Sequence, residues 1–276
     1  MPKRIAYLGP EQTNTHLAAV TRFGRRATYL HEPTVEDVFR LVERRQADYG
    51  VVPVENSLEG AVTHTLDRFI DFLDTPVKIH GEIEQLIHHA LIVRPKAKLT
   101  QIRIVASHPQ ALAQCRRWLD RQLPRVERRE TNSTADAVTF VLQDERAGTR
   151  AAIGRPQLAR KHGLRAVRIP QERENKTRFL VLGLGEPPRT KRSKTSLMFA
   201  LKDQPGALYD ALVPFKRHRI NLTKIESRPS KQQAWEYLFF IDLEGHVSEP
   251  RVERALEALR RSTLSCQLLG SYPVAG

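Results

Sequence analysis

Tyr49-Gly50-Val51-Val52-Pro53-Val54-Glu55-Asn56-Ser57-Leu58-Glu59-Gly60 passes from a short β-branched run into a polar turn. Residues 49–54 fit a buried strand of an α/β sheet. Polar groups just past the carboxyl end of such a strand stand where open α/β sheets bind ligands. Asn56 brings a donor and an acceptor, Ser57 a hydroxyl, and Gly60 permits close backbone approach. A plain capping turn, with Asn56 or Ser57 satisfying the next helix, fits the same residues.

Outward from this stretch the pattern alternates. Upstream, residues 4–8 read as a strand ending in Gly9-Pro10, followed by a helix over about 15–23. Thr34-Val35-Glu36-Asp37 opens a second helix, with Val35, Val38, Phe39 and Val42 at helical spacing. Downstream, residues 63–73 read as a helix, 77–93 as a long strand and 102–106 as another strand. A helix from Pro109 to residue 119, one after Ser133, a strand at 151–153 and a helix at 156–162 continue the rhythm. Strands alternating with helices predict an α/β domain with a largely parallel sheet. Glu186-Pro187-Pro188-Arg189-Thr190-Lys191-Arg192-Ser193-Lys194 reads as a solvated linker. Beyond it, strands at 195–201, 222–227, 235–243 and 266–272 and helices at 206–218 and 249–261 give the order βαββαβ, a small ferredoxin-like module. The predicted boundaries are 1–185, 186–194 and 195–276.

The chain has 276 residues, 40% of them hydrophobic and 28% charged, which suits a folded, soluble protein rather than a disordered one. No apolar stretch approaches the roughly 20 residues that span a bilayer, and Met1-Pro2-Lys3-Arg4-Ile5 enters a strand pattern directly. Cys115 and Cys266 lie in different predicted domains and read as reduced thiols. A cytoplasmic location is the expectation. The net charge of +14 suits an anionic partner. The arginines are spread along the chain without a zinc-finger, homeodomain or RNP-type signature, so neither nucleic acid nor membrane is expected as a partner.

Four polar clusters are candidates for chemistry. A polar loop with Asn175 and Lys176 delivers Thr177-Arg178-Phe179, a hydroxyl beside a guanidinium, where the apolar run 179–184 begins as a buried strand, which suits holding an anion and helping an oxygen leave. Ser107-His108-Pro109-Gln110 follows a strand and opens a helix; Ser107 is a candidate cap, and Gln110 and Gln114 share a helix face. Gly9-Pro10-Glu11-Gln12-Thr13-Asn14-Thr15 clusters hydroxyls at a third strand-to-helix turn, where Thr13 or Thr15 caps the helix or faces a carboxylate. Ser133-Thr134-Ala135-Asp136 reads as a structural cap. His88-His89 fall on opposite sides of the predicted strand, and no glycine-rich nucleotide loop occurs, so neither metal nor other cofactor is expected.

Taken in order, Gly9-Pro10, Val52 to Gly60, Ser107-His108-Pro109-Gln110, Gln114-Cys115, Asn132-Ser133-Thr134, Ala152-Ile153-Gly154 and Thr177-Arg178-Phe179 resemble the motifs of prephenate dehydratases. Gly206-Ala207-Leu208 and Glu226-Ser227-Arg228-Pro229 resemble the effector motifs of that family's ACT regulatory domain. The resemblance covers almost the whole chain. It implies a two-lobed catalytic domain, like periplasmic binding proteins, that turns prephenate into phenylpyruvate by decarboxylation and dehydration in phenylalanine biosynthesis. It further implies inhibition by phenylalanine through the ACT domain and assembly as a homodimer or homotetramer. Thr177, Arg178 and Ser107 are then the implied catalytic residues. Thr13, Thr15, Asn56, Ser57, Gln114 and Phe179 are the implied substrate contacts. Gly206, Ala207, Leu208, Glu226, Ser227, Arg228 and Pro229 are the implied effector contacts. Arogenate as substrate, and a non-catalytic metabolite-binding protein of the same fold, are the alternatives. The first loop departs from the family's Gly-Pro-x-Gly-Thr-(Phe/Tyr)-(Ser/Thr): Gln12 replaces the glycine and Asn14 the aromatic. If that glycine serves a positive φ, the backbone here is expected to have changed.

Overall fold

The computed structural model of the chain describes residues 2–58, 60–71, 75–144, 148–170, 175–187, 189–230 and 237–275. Glu59, the predicted helix end at Leu73 and the predicted strand start at Trp235 lie outside these residues. The chain forms two compact units, one of residues 1–85 with 177–276 and one of residues 86–176.

The elements begin with β1 (Arg4–Leu8), α1 (Asn14–Phe23), β2 (Thr28–Glu32), α2 (Val35–Glu43), β3 (Tyr49–Asn56), β4 (Gly60–Ala61), α3 (Thr63–Asp71) and β5 (Val77–Leu86). Next come β6 (Ala90–Val93), β7 (Ile104–Ser107), α4 (Pro109–Gln114), α5 (Arg116–Gln122), β8 (Glu127–Glu130), α6 (Thr134–Leu142), β9 (Arg150–Gly154), α7 (Pro156–Lys161) and β10 (Arg165–Arg168). The chain closes with β11 (Lys176–Leu184), β12 (Ser193–Ala200), α8 (Ala207–Arg217), β13 (Leu222–Pro229), β14 (Tyr237–Glu244), α9 (Pro250–Ser262) and β15 (Ser265–Pro273).

The α/β class is as expected, but the sheets are mixed rather than largely parallel. In the first unit the order is β2-β1-β3-β11-β5, with β1 parallel to β2 and β3 while β11 runs antiparallel to β3. The sheet is mixed because β11 enters it only after the whole second unit has been traversed, so it is not the product of a βαβ crossover. The second unit has the order β10-β6-β9-β7-β8, parallel only among β9, β7 and β8. The predicted strand over 77–93 is two strands, β5 and β6, one in each sheet. His88 and His89 therefore lie between strands, not on one. The strands β2, β8 and β10 were not legible. β8 shows why: Glu-Arg-Arg-Glu is exposed throughout and carries no apolar signal.

The C-terminal module has the expected βαββαβ order, in an antiparallel sheet β13-β14-β12-β15. All eight residues of β12 are buried. Leu197 and Phe199 pack with Phe215, Leu256 and Leu259 of the two helices, while Met198 and Ala200 join the core of Val54, Leu66 and Phe69. A strand covered on both faces loses its alternation of polar and apolar residues. At Gly270 a Cβ would stand 2.3 Å from the carbonyl oxygen of Ile79, so β15 reaches β5 only because that residue is glycine.

Gln12 keeps the left-handed backbone, with φ of 66°, so the expected change of conformation did not occur. The cost is offset locally. Its N–H donates to Nδ1 of His16 at 2.9 Å, and that ring stacks on Tyr7 with centroids 4.7 Å apart. Gln12→Gly is expected to raise stability by about 1 kcal/mol or less, because relief of left-handed strain is opposed by a more flexible unfolded chain. Urea unfolding measures it; a destabilised variant would show that glutamine's own contacts outweigh the strain.

Candidate active site

Thr177 is the second residue of β11 and is not delivered by a loop; its strand neighbour in register is Asn56, the last residue of β3. Both are buried. Asn56 Nδ2 donates to Thr177 Oγ1 at 3.0 Å, and Asn56 Oδ1 accepts from the N–H of Leu58 at 3.0 Å. The turn thus fixes the amide's orientation and aims its donor at the hydroxyl. No acceptor for the Thr177 proton occurs among the described residues, so the proton is free for a ligand. Ser57, next in sequence, is exposed.

Arg178 faces the opposite side of the strand, as period-two alternation requires. Its guanidinium takes Glu55 at 2.8 Å, Glu82 at 3.2 Å and Asp242 at 2.6 Å. Lys194 Nζ closes on Glu82 at 2.8 Å, Lys224 lies 3.6 Å from Glu55, and Ser196 Oγ donates to the second oxygen of Asp242 at 2.6 Å. Three cations thus balance three carboxylates. Burial opposes the charge on Arg178, but Asp242, with Glu82 behind it, outweighs burial and raises its pKa. The same burial, reinforced by Asp242 and Glu82, pushes the Tyr272 hydroxyl well above its usual range. A cavity of about 20 Å³ beside Arg178 has room for one water. Expected as a catalytic anion clamp, Arg178 is instead occupied by protein carboxylates, including one from the C-terminal module. Lys194, expected in a solvated linker, is a buried residue of β12.

Phe179 is corrected too. It is 1% exposed, in the core with Ile5, Tyr7 and Val51, and offers no surface to a substrate. In the first loop Thr13 is the cap of α1: Oγ1 accepts from the N–H of His16 at 3.2 Å and donates to the Leu8 carbonyl at 3.3 Å. Thr15 is buried, and Asn14 Oδ1 is sealed without a partner.

In the second unit Ser107 ends β7, fully buried, and donates to the Ile153 carbonyl at 2.7 Å. It is not the cap of α4; His108 is, its Nδ1 accepting from the N–H of Gln110 at 3.3 Å. The helix expected to run to 119 breaks at Cys115, whose thiol burial pushes up to about 12. Gln114 Oε1 meets His89 Nε2 at 2.7 Å and Asn175 Nδ2 at 2.8 Å. Burial holds the His89 pKa below its usual value. Sequence reasoning passed over Asn175 as loop and His89 as one of a non-chelating pair. Their adjacency to Thr177 and to β6 was the available signal.

In the C-terminal module Gly206 caps α8 with φ of 84°, a conformation that favours glycine, and Ala207 and Leu208 form its first turn. Glu226, Ser227, Arg228 and Pro229 are the last four residues of the edge strand β13. Glu226 is 3.9 Å from Lys224, and Arg228 pairs with both oxygens of Asp67 at 3.0 and 3.3 Å. Arg228 is thereby tied to α3.

Among the described residues, no helix is long and apolar enough to cross a membrane. No group of three His, Cys, Asp or Glu there is arranged to hold a metal ion.

The family model for prephenate dehydratase matches residues 5–187, and that for the ACT domain residues 195–261. The chain belongs to the prephenate dehydratase family and carries a C-terminal ACT domain. It is 49% identical to a bifunctional chorismate mutase/prephenate dehydratase of Aquifex aeolicus, over 99% of this chain and 74% of that protein. It is 41% identical to a prephenate dehydratase of Methanocaldococcus jannaschii, over 87% of this chain and 86% of that protein. A crystal structure of prephenate dehydratase from Arthrobacter aurescens in complex with L-Phe superimposes with a TM-score of 0.88 at 35% identity, covering 98% of this chain and 90% of that one.

Proposed function

We propose that the chain converts prephenate to phenylpyruvate, with Thr177 as the proton donor and Asn56 as the residue that positions and activates it. The observation that carries this reading is the amide N–H on Thr177 Oγ1, with the hydroxyl proton left unclaimed. Loss of carbon dioxide sends the C–C bonding pair into the ring. The ring C–O bond then breaks, and the leaving oxygen takes the Thr177 proton to depart as water. The alkoxide left on Thr177 is stabilised by the Asn56 donor and is reprotonated from solvent. Aromatisation supplies the driving force, so positioning and one proton are what the protein must add. Ser107 serves by holding β7 to β9, and Gln114 by joining His89 and Asn175. Residues 1–185 form the catalytic domain and 195–276 the regulatory one, in a cytoplasmic homodimer or homotetramer. Gly206 to Leu208 and Glu226 to Pro229 receive phenylalanine, a reading supported by the L-Phe complex of the Arthrobacter relative.

The test is product analysis. Purified protein is given prephenate or arogenate, with and without phenylalanine, and ultraviolet spectra identify the product. Phenylpyruvate from prephenate, formed more slowly with phenylalanine present, is expected. Faster turnover of arogenate would reassign the substrate, no aromatic product would overturn the enzyme, and rates indifferent to phenylalanine would overturn the regulation.

A further inference from the structure

Arg155 is a charge without a counter-charge among the described residues. It follows Gly154 at the end of β9 and is only 6% exposed. Its Nη1 is sealed from solvent with no hydrogen-bond partner, and no carboxylate among the described residues pairs with it. Burial pulls its pKa down to about 10, which still leaves it charged at neutral pH. Buried guanidinium groups are ordinarily paired, because an uncompensated charge is costly to take out of water. By contrast, Arg178 is met by three carboxylates.

A second orphan stands opposite. Ala90 of β6 pairs with Gly154 of β9 in an antiparallel ladder, so one step beyond the ladder sets His89 across from Arg155. Besides burial, the charge of Arg155 helps to hold the His89 pKa below its usual value, so the two groups are close. His89 is 8% exposed. Gln114 Oε1 already takes a hydrogen bond from Asn175, and as an acceptor it obliges His89 Nε2 to be the protonated nitrogen. His89 Nδ1 is then a bare acceptor, and it too is buried without a partner.

We propose that Arg155 and His89 form a carboxylate-binding site in the unit of residues 86–176. The planar fork of Arg155 takes the two carboxylate oxygens. His89 Nδ1 accepts from a hydroxyl of the ligand or from a water that arrives with it. The substrate and a separate small carboxylic acid share this chemistry, and the two are distinguished by kinetics.

The whole chain is titrated with malonate while its thermal midpoint and the His89 ring resonances are followed. Arg155→Met and Arg155→Lys are measured beside it. Malonate is expected to raise the midpoint and shift His89 in the parent. Arg155→Met should unfold at a higher temperature than the parent without malonate, since a buried lone charge is gone, and should lose the malonate response. A merely structural arginine predicts the reverse, a less stable variant. Arg155→Lys should keep a weakened response. If the substrate supplies the carboxylate, KM for prephenate rises about tenfold or more in Arg155→Met with kcat little changed. An unchanged KM with malonate binding lost assigns the site to a separate carboxylic acid. No malonate response in the parent, a response that survives Arg155→Met, or a destabilised Arg155→Met would each overturn the proposal. A parent that does not turn over prephenate at all fails the reaction, while the malonate titration still decides the site.

Discussion

Thr177→Ala is expected to lower kcat on prephenate by about a hundredfold or more while leaving KM near the parent value. A proton given only as the C–O bond breaks stabilises the transition state and adds little to the bound ground state. The variant should fold normally, since its backbone pairing in β11 is untouched and, among the described residues, the Thr177 side chain makes one hydrogen bond, from Asn56, through the group being removed. Asn56→Asp is the companion measurement. It keeps the size and the Leu58 contact but replaces the donor facing Thr177 with an acceptor. It should therefore cost kcat as well, because an adjacent carboxylate opposes an alkoxide. If Thr177→Ala turns over at near the parent rate, the hydroxyl is not the acid. If KM rises in step with the loss, it serves to bind.

Arg178→Met is expected to cost stability rather than substrate affinity. Its side chain is 11% exposed and holds together Glu55, Glu82 and Asp242 from three strands, β3, β5 and β14. Removing one partner of a buried ion pair leaves uncompensated charge and typically costs about 3–5 kcal/mol. Here Lys194 remains on Glu82 and Lys224 near Glu55, but all three carboxylates lose their shared guanidinium and Asp242 loses its paired cation. Urea unfolding should show the loss, and KM measured at a temperature where the variant is folded should stay near the parent value. A variant of parental stability with a much higher KM would return Arg178 to the role of substrate clamp. Because Asp242 lies in the C-terminal module, the same network makes that module part of the stability of β11. Asp242→Asn should then show a smaller loss in the same direction.

Much of this architecture was legible in the residues. The strand at 49–54, the Thr34 cap of α2 and the βαββαβ order after residue 195 each rest on local signals, namely β-branched runs, capping hydroxyls and periodicity. The polar residues Asn56 and Thr177 were also legible as candidates, because both stand at strand ends. Their partnership was not. They are 121 positions apart, and only the antiparallel register of β3 and β11 sets one against the other.

Arg178 marks the boundary differently. Placed in a loop, its guanidinium was free to join Thr177; placed inside a strand, it had to point the other way. The exact start of β11 decided its role, and strand ends are set by pairing rather than by composition. Arg155 lies wholly on the tertiary side. An arginine between Gly154 and Pro156 carries no sign in the sequence of being buried, and burial without a counter-charge is what gives it meaning. Local signals settled most of the elements, the order of the C-terminal module and the types of group available, because propensity and periodicity act over a few neighbours. Which groups face one another, and which charges are stripped of water, was decided only when strands distant in the chain came into register and excluded solvent.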